Sequence, residues 1–120
     1  MGKILVNLST GAENLDKASV AFVVAGAGIA GEQETAMFLS VEAVRLVQKG
    51  YVTDDMVGAG FKPMKELVDT IIAGGGKIWV CPPCANARGV TEDTLIEGAV
   101  FAGGAKLVEF LSQGAATVSY

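Results

Sequence analysis

Short apolar runs alternate with helical stretches along this 120-residue chain, and that alternation restricts its possible folds more than any other feature. The apolar runs, each typical of a buried β-strand, are Lys3 to Ser9, Glu34 to Ser40, Lys77 to Val80, Ala99 to Ala102 and Ala116 to Tyr120. Successive strands joined through helices pair in parallel, because the helix returns the chain to the starting edge of the sheet. The pattern therefore predicts an α/β fold, a three-layer α/β/α sandwich around a mostly parallel sheet.

The helical stretches are Leu15 to Ile29, Val41 to Lys49, Pro63 to Ile72 with a stop at Gly74, Ala85 to Arg88, a turn around Leu95, and Ala105 to Gln113. The first ends in Gly26-Ala27-Gly28-Ile29-Ala30-Gly31, which matches the G-x-G-x-x-G pattern of dinucleotide sites. Such a site needs a strand directly before the glycines, whereas the preceding residues repeat apolar side chains at helical spacing. We interpret the glycines as a helix end that packs closely on a neighbour, with a dinucleotide site as the alternative.

The composition predicts one domain, residues 1–120, that is rich in apolar side chains. Hydrophobic residues make up 51% of the chain, and the formal net charge is −4. Surplus apolar surface on a small domain is often buried between subunits, so we expect a homo-oligomer. The nine Lys and Arg residues are scattered through an acidic chain, and this distribution argues against a nucleic-acid partner.

The same sequence predicts no association with a membrane. The longest weakly polar stretch, Ala18 to Gly31, is shorter than the ~20 residues that span a bilayer. The first residues enter a strand-like run without the features of a signal peptide. We therefore expect a cytoplasmic protein.

Both cysteines of the chain lie in one motif, Cys81-Pro82-Pro83-Cys84, directly after the third predicted strand. The prolines favour an extended Cys81 and place Cys84 in the first turn of a helix. A helix start offers unpaired N–H groups and the positive end of the helix dipole, and both favour a thiolate. We predict that Cys81 is the exposed nucleophile and Cys84 its more buried resolving partner, with Arg88 lending positive charge.

Other uses of the cysteine pair have to be weighed beside this one. A structural zinc site needs four ligands, and the chain has neither a second cysteine pair nor a histidine. We therefore expect no metal and no organic cofactor. The absence of histidine also excludes a Ser-His-Asp triad. The plainest alternative is that both cysteines are buried and serve only as small hydrophobic side chains.

Polar residues follow the first two predicted strands at the same position where the cysteines follow the third. Because ligands of open parallel sheets bind beyond the carboxyl ends of the strands, these residues should share one edge. The predicted site consists of Cys81 and Cys84 as catalytic residues and Ser9, Thr10, Ser40, Glu42 and Arg88 as substrate-binding residues.

Four short motifs fall at positions typical of a known family. They are the Thr10-Gly11 turn, the Asp16-Lys17-Ala18 helix start, Val41-Glu42-Ala43 after the second strand, and Cys81 followed by Arg88-Gly89. With these motifs the chain resembles, over nearly its whole length, the DsrE/DsrF-like family of small sulfur-relay proteins, including the branch labelled predicted peroxiredoxins. Members carry a sulfur-accepting cysteine at the end of the third strand, and Cys81 occupies that position.

The resemblance implies a five-stranded parallel sheet, a trimeric or hexameric assembly, and transfer of persulfide sulfur between partner proteins. Relay members usually have small residues where this chain has Pro-Pro-Cys. The leading hypothesis is a sulfur carrier or sulfurtransferase-like protein: Cys81 takes persulfide sulfur from a donor protein or small thiol, and Cys84 or an acceptor removes it. The alternatives are a thiol peroxidase or disulfide reductase that uses the same pair, and a non-enzymatic oligomeric binding module.

Overall fold

The computed structural model describes residues 2–120, and strands alternate with helices throughout this range. The strands are β1 (Lys3–Leu8), β2 (Glu34–Leu39), β3 (Lys77–Val80), β4 (Ala99–Phe101) and β5 (Ala116–Ser119). The α-helices are α1 (Leu15–Ala30), α2 (Met64–Ala73), α3 (Pro82–Ala87) and α4 (Gly104–Ser112). Short 3₁₀ helices cover Ala12–Asn14, Val41–Val47 and Glu92–Thr94.

The five strands form one parallel sheet in the order β4-β3-β2-β1-β5. From β1 to β4 the chain moves one strand at a time toward one edge of the sheet, and it then returns to place β5 on the other side of β1. All carboxyl ends therefore lie along one edge of the sheet, where the sequence predicts the site. The predicted α/β fold is confirmed.

Helices cover both faces of this sheet. Side chains of α1 and α2 such as Phe22 and Ile71 pack against alternate strand residues such as Val6 in the larger buried cluster. On the opposite face Phe110 of α4 meets Trp79 of β3 edge to face, with ring centroids 5.2 Å apart. These two clusters give the three layers that the alternation predicted.

The helix predicted at Val41 to Lys49 is a 3₁₀ helix, Val41–Val47, instead of an α-helix. Its buried residues are Ala43, Val44, Leu46 and Val47. These residues form two adjacent pairs that are three positions apart, and three residues per turn is the period of a 3₁₀ helix. Two of them are β-branched valines, which have a lower propensity for an α-helix than unbranched residues. Packing of this short segment therefore decides its geometry.

The glycine-rich segment forms the last turns of α1. The N–H of Gly31 donates to the carbonyl of Ala27 at 2.9 Å and ends the helix. A Cβ at Gly28 would lie 2.7 Å from Oγ1 of Thr35, so the glycine allows α1 to approach β2. The interpretation as a closely packed helix end is confirmed, and the dinucleotide alternative is wrong because a helix precedes the glycines.

At 16 residues, α1 is longer than the other helices described here. Within residues 2–120, no helix has both the length and the apolar character needed to cross a membrane.

Candidate thiol site

Cys81 links the end of β3 to the start of α3. Its φ of −65° and ψ of 116° are extended, and Pro82 and Pro83 open the helix. The Cys81 N–H donates to the carbonyl of Leu39 at 2.9 Å, and its carbonyl accepts from the N–H of Ala85 at 3.0 Å. The backbone therefore holds Cys81 at the carboxyl edge of the sheet and Cys84 in the first turn of α3, as the two prolines predicted.

The two thiols are free, and both Cys81 and Cys84 are half-buried. Their surroundings differ, because the Cys84 side chain packs against the larger core cluster. The contrast between an exposed Cys81 and a more buried Cys84 stays a prediction, which this core contact of Cys84 supports.

The pKa of the Cys81 thiol is raised above its ordinary value. Burial is the main cause; the backbone N–H of Cys84 lowers the pKa, whereas the hydrogen-bonding contact and charge of the Cys84 thiol raise it further. The expectation that the helix start favours a thiolate is wrong for this state. The physical reason is local: α3 has only six residues, and Pro82 and Pro83 remove two of the N–H groups that a helix start normally offers.

The Arg88 side chain forms an ion pair with Glu42. Its Nε donates to Glu42 Oε1 at 2.7 Å, and its Nη1 donates to the carbonyl of Cys84 at 3.2 Å. The second carboxylate oxygen of Glu42 accepts from Nε of Arg45 at 3.2 Å. The hydrogen bond from Arg88 is the main reason why the pKa of Glu42 is lowered. Arg88 thus neutralises a carboxylate in this state, where the sequence predicted that it would support a thiolate.

The backbone around Glu42 is tightly constrained. The preceding residue, Val41, has a positive φ of 52° although it is β-branched and its side chain is 44% exposed. A Cβ at Gly11 would lie 2.6 Å from the carbonyl oxygen of Glu42, so only glycine allows the turn after β1 to approach this closely. The strain at Val41 escaped the sequence analysis, because nothing about a valine indicates a left-handed backbone.

The structure brings together only part of the predicted substrate-binding set. Ser40 directly precedes the 3₁₀ helix that carries Glu42, and its N–H donates to the carbonyl of Leu8 at 3.0 Å. Ser9 turns toward β5, where its hydroxyl donates to the carbonyl of Tyr120 at 3.4 Å. Since neighbouring strands are ~4.8 Å apart, Ser9 follows β1 at roughly 10 Å from the strand that carries Cys81. Thr10 is half-buried in the turn beside Gly11.

Two concave regions of the fold lie away from the two cysteines. A cavity of about 180 Å³ is lined by Leu46, Gln48 and Val68 among others, and a groove of about 500 Å³ between α1 and α2 is lined by residues that include Phe22 and Leu67. Neither is lined by Cys81 or Cys84. Residues 2–120 contain no group of three or more His, Cys, Asp or Glu side chains that could hold a metal ion.

Comparison with known sequences places the whole described range in one family. The family model of the DsrE/DsrF-like family matches residues 2–120. The chain is 31% identical over 105 residues to the uncharacterized protein MJ0760 of Methanocaldococcus jannaschii, and 31% identical over 81 residues to the uncharacterized protein MK0008 of Methanopyrus kandleri. These matches cover 88% and 68% of this chain but only 38% and 63% of the two relatives.

Solved structures share the fold over the full length. The ychN protein from E. coli superposes with a TM-score of 0.84 at 18% identity, and each chain is covered completely. The protein of unknown function MTH1491 from Methanobacterium thermoautotrophicum superposes with a TM-score of 0.69 at 13% identity, again with both chains covered completely. At these identities the likeness shows the fold, and the chemistry has to be argued from the residues of this chain.

Proposed function

The chain belongs to the DsrE/DsrF-like family, and from that premise we propose that it is a sulfur carrier in which Cys81 bears persulfide sulfur. One observation supports this more than any other. Cys81 is free and half-buried at the carboxyl end of β3, and a second free thiol follows one helical turn later. A persulfide needs a reachable thiol that is not committed to a disulfide, and the free, half-buried state of Cys81 supports this role.

The loading step is a sulfur exchange without net oxidation. The deprotonated Cys81 sulfur attacks the outer sulfur of a donor persulfide. The S–S bond of the donor breaks and a new S–S bond forms on Cys81, while the donor leaves as a thiol that takes up the proton from Cys81. Because burial raises the pKa of Cys81, we propose that contact with the donor supplies the base or the positive charge.

Unloading follows one of two routes. An acceptor thiolate attacks the outer sulfur of the Cys81 persulfide and carries that sulfur away, which regenerates the Cys81 thiol. Alternatively Cys84 attacks the inner sulfur, which forms a Cys81–Cys84 disulfide and releases hydrogen sulfide; an external thiol then reduces the disulfide. The three-position spacing of the two free thiols at the start of α3 supports the second route.

Donor and acceptor are, in this proposal, proteins or small thiols that meet Cys81 at the open carboxyl edge of the sheet. We propose that Arg88, the Thr10 turn and Ser40 border the part of this site that accepts an anionic group. We also propose a single domain that acts in the cytoplasm as a homo-oligomer, a trimer or hexamer. The side chains of Val100 and Val108 are 55% and 62% exposed and supply apolar surface for such an assembly.

The second candidate is a thiol peroxidase or disulfide reductase, and the presence of two free thiols three positions apart favours it. Peroxide oxidises the Cys81 thiolate to a sulfenic acid, and Cys84 then displaces water and forms the disulfide. A fast peroxidatic cysteine needs a lowered pKa, whereas burial raises the pKa of Cys81. Both reactions need the Cys81 thiolate, so the raised pKa does not separate them; persulfide transfer is our first choice because membership of the DsrE/DsrF-like family favours it.

Mass spectrometry after incubation with glutathione persulfide tests the proposal. The Cys84→Ser variant should retain one added sulfur atom on Cys81, because it cannot form the internal disulfide. Cys81→Ser should gain none. The wild type should release sulfide and accumulate the Cys81–Cys84 disulfide.

Three results decide against sulfur transfer. Equal sulfur uptake by Cys81→Ser and Cys84→Ser would remove Cys81 from the mechanism. Consumption of hydrogen peroxide with disulfide formation, and without sulfur uptake from the persulfide, would favour the second candidate. If neither thiol of the native protein reacts with iodoacetamide, the non-enzymatic binding module becomes the better reading.

A further inference from the structure

β4 forms one edge of the sheet, and no strand of residues 2–120 lies on its outer side. The N–H of Ala102, which follows β4, donates to the carbonyl of Val80 at 3.1 Å, so the main chain of Ala102 faces β3. Neighbouring residues of a strand direct their N–H and C=O groups to opposite sides. The N–H and C=O groups of Phe101, one residue earlier, therefore point away from the sheet and are open to a further strand.

The edge lacks the features that usually protect an exposed strand. Native proteins block such edges with charged side chains, prolines, bulges or a covering segment. β4 consists of Ala-Val-Phe, without a charge or a proline, and its pairing with β3 is continuous from Ala99 to Phe101. The main chain of β4 can therefore accept an added strand, as the sheet edges of peptide-binding domains do.

A recess of about 320 Å³ lies beside this edge and is lined by Glu92, Leu95 and Phe101 among others. Leu95 is buried, whereas Glu92 is exposed. An added strand would thus find an apolar surface for one side chain and a carboxylate for a basic one. In strand addition the main-chain hydrogen bonds give affinity, and recesses of this kind give specificity.

The charges beside the edge select the kind of partner. Glu92, Asp93 and Glu97 lie on the segment that leads into β4, and all three are exposed. The ion pairs of the described residues include none of these carboxylates. A nearby cation, Lys49, donates its Nζ to the main-chain carbonyl of Asp93 at 2.9 Å. A basic partner gains from this acidic segment, whereas a second copy of the chain would bring the same carboxylates to it.

We propose that the outer edge of β4 binds an extended, basic segment of a partner protein. The segment pairs with the main chain of Phe101 as a sixth strand of the sheet. Because side chains of a strand alternate between its faces, two residues that are two positions apart share the recess. One of them is apolar and packs on Leu95, and the other is a lysine or arginine that meets Glu92. This pairing involves neither thiol.

Titration of the isotope-labelled protein with the peptide acetyl-Thr-Val-Thr-Lys-Thr-amide tests the proposal by NMR. The peptide has valine and lysine two positions apart, with threonine, which favours a strand, at the other positions. The Phe101 amide should show the largest shift and slower hydrogen exchange, because its N–H gains an acceptor. The amides of Thr117 and Ser119 in β5, the other edge strand, should shift less, since the groove beside β5 is lined by no carboxylate.

Matched peptides and variants separate the two kinds of contact. Norleucine in place of the lysine should weaken binding by about threefold, the size of an exposed ion pair, and Glu92→Gln should remove this difference. Glu97→Gln is the matched control and should keep the difference, because Glu97 precedes β4 without lining the recess. Of two peptides with N-methyl groups on the odd or on the even residues, the one blocked toward β4 should bind about tenfold more weakly.

The outcomes that overturn the proposal are distinct from one another. Shifts that centre on β5 would place the peptide at the other edge, and an absence of saturable shifts would leave β4 without this ligand. If both N-methylated peptides bind like the parent, no strand is added. An undiminished preference for lysine in Glu92→Gln would refute the role of the carboxylate. If the Phe101 amide shifts with protein concentration before any peptide is added, a second copy of the chain occupies the edge.

Discussion

Replacing Gly11 with alanine should destabilise the fold, because the turn after β1 touches the backbone of Glu42. The new Cβ would lie 2.6 Å from the Glu42 carbonyl oxygen and 2.9 Å from its carbon, whereas ordinary contact begins at 3.4 Å. The two segments must therefore separate by about 0.8 Å, the difference between 3.4 and 2.6 Å, in a densely packed region. The alanine Cβ is attached directly to the backbone and the Glu42 carbonyl oxygen is part of it, so no side-chain rotation can relieve this contact.

The size of the effect follows from two opposing terms. Overpacking of this kind costs about 1–3 kcal/mol, and the stiffer unfolded chain of an alanine variant returns about 0.4–1 kcal/mol. We expect a net loss of about 1–2 kcal/mol, which would lower the urea midpoint by roughly 0.5–1 M for a typical small domain. Equilibrium unfolding in urea at one fixed protein concentration measures it.

Gly104→Ala is the matched control for Gly11→Ala. A Cβ at Gly104 meets nothing within 4 Å, and this glycine is the first residue of α4. Alanine favours a helix by up to about 1 kcal/mol over glycine, so the control should be neutral or more stable. If Gly11→Ala unfolds at the wild-type midpoint, or if both variants lose the same stability, the close approach of Gly11 to Glu42 does not make the predicted contribution to stability.

Three other features predict measurable changes in stability. At Val41, whose φ is 52°, glycine should be more stable than alanine by about 1 kcal/mol, whereas at Val23 within α1 the order should reverse. Ser19→Ala should leave the free energy of unfolding unchanged or raise it by up to about 1 kcal/mol, because the buried Ser19 hydroxyl has no partner among the described residues. Thr35→Val should lower it by about 1 kcal/mol, because the hydrogen bond from the Thr35 hydroxyl to a backbone carbonyl is lost. Hydrogen bonds from two flanking lysines lower the pKa of Glu34. The stabilisation from Glu34 is therefore complete above the ordinary glutamate pKa and is lost as the pH falls through the lowered pKa of the folded state. Urea titrations at several pH values should show the stability difference between the wild type and Glu34→Gln shrinking over that range.

Local patterns allowed most of the fold to be predicted. The third strand, Lys77 to Val80, has the bounds that its apolar run indicated, and α1 covers the predicted Leu15 to Ile29. Strand and helix periods are properties of neighbouring residues, so they can be read without knowing what packs on them. The 3₁₀ helix Val41–Val47 escaped this reasoning because its three-residue period arises from burial against the rest of the fold.

For the candidate site, the sequence alone determined the position of the two cysteines. A parallel sheet places every strand end on one edge, and the prolines hold Cys81 extended with Cys84 in the first helical turn. Which family the chain resembles followed from the same short motifs, and the match over residues 2–120 confirms it.

The electrostatics of the site were decided by the tertiary structure. Arg88 and Glu42 are 46 positions apart, and no local pattern indicates that they meet at 2.7 Å. That contact pairs the guanidinium with a carboxylate, while burial raises the pKa of Cys81. Sequence specifies which groups are present at the edge of the sheet, and folding decides which of them neutralise one another, because charge interactions depend on distance and burial.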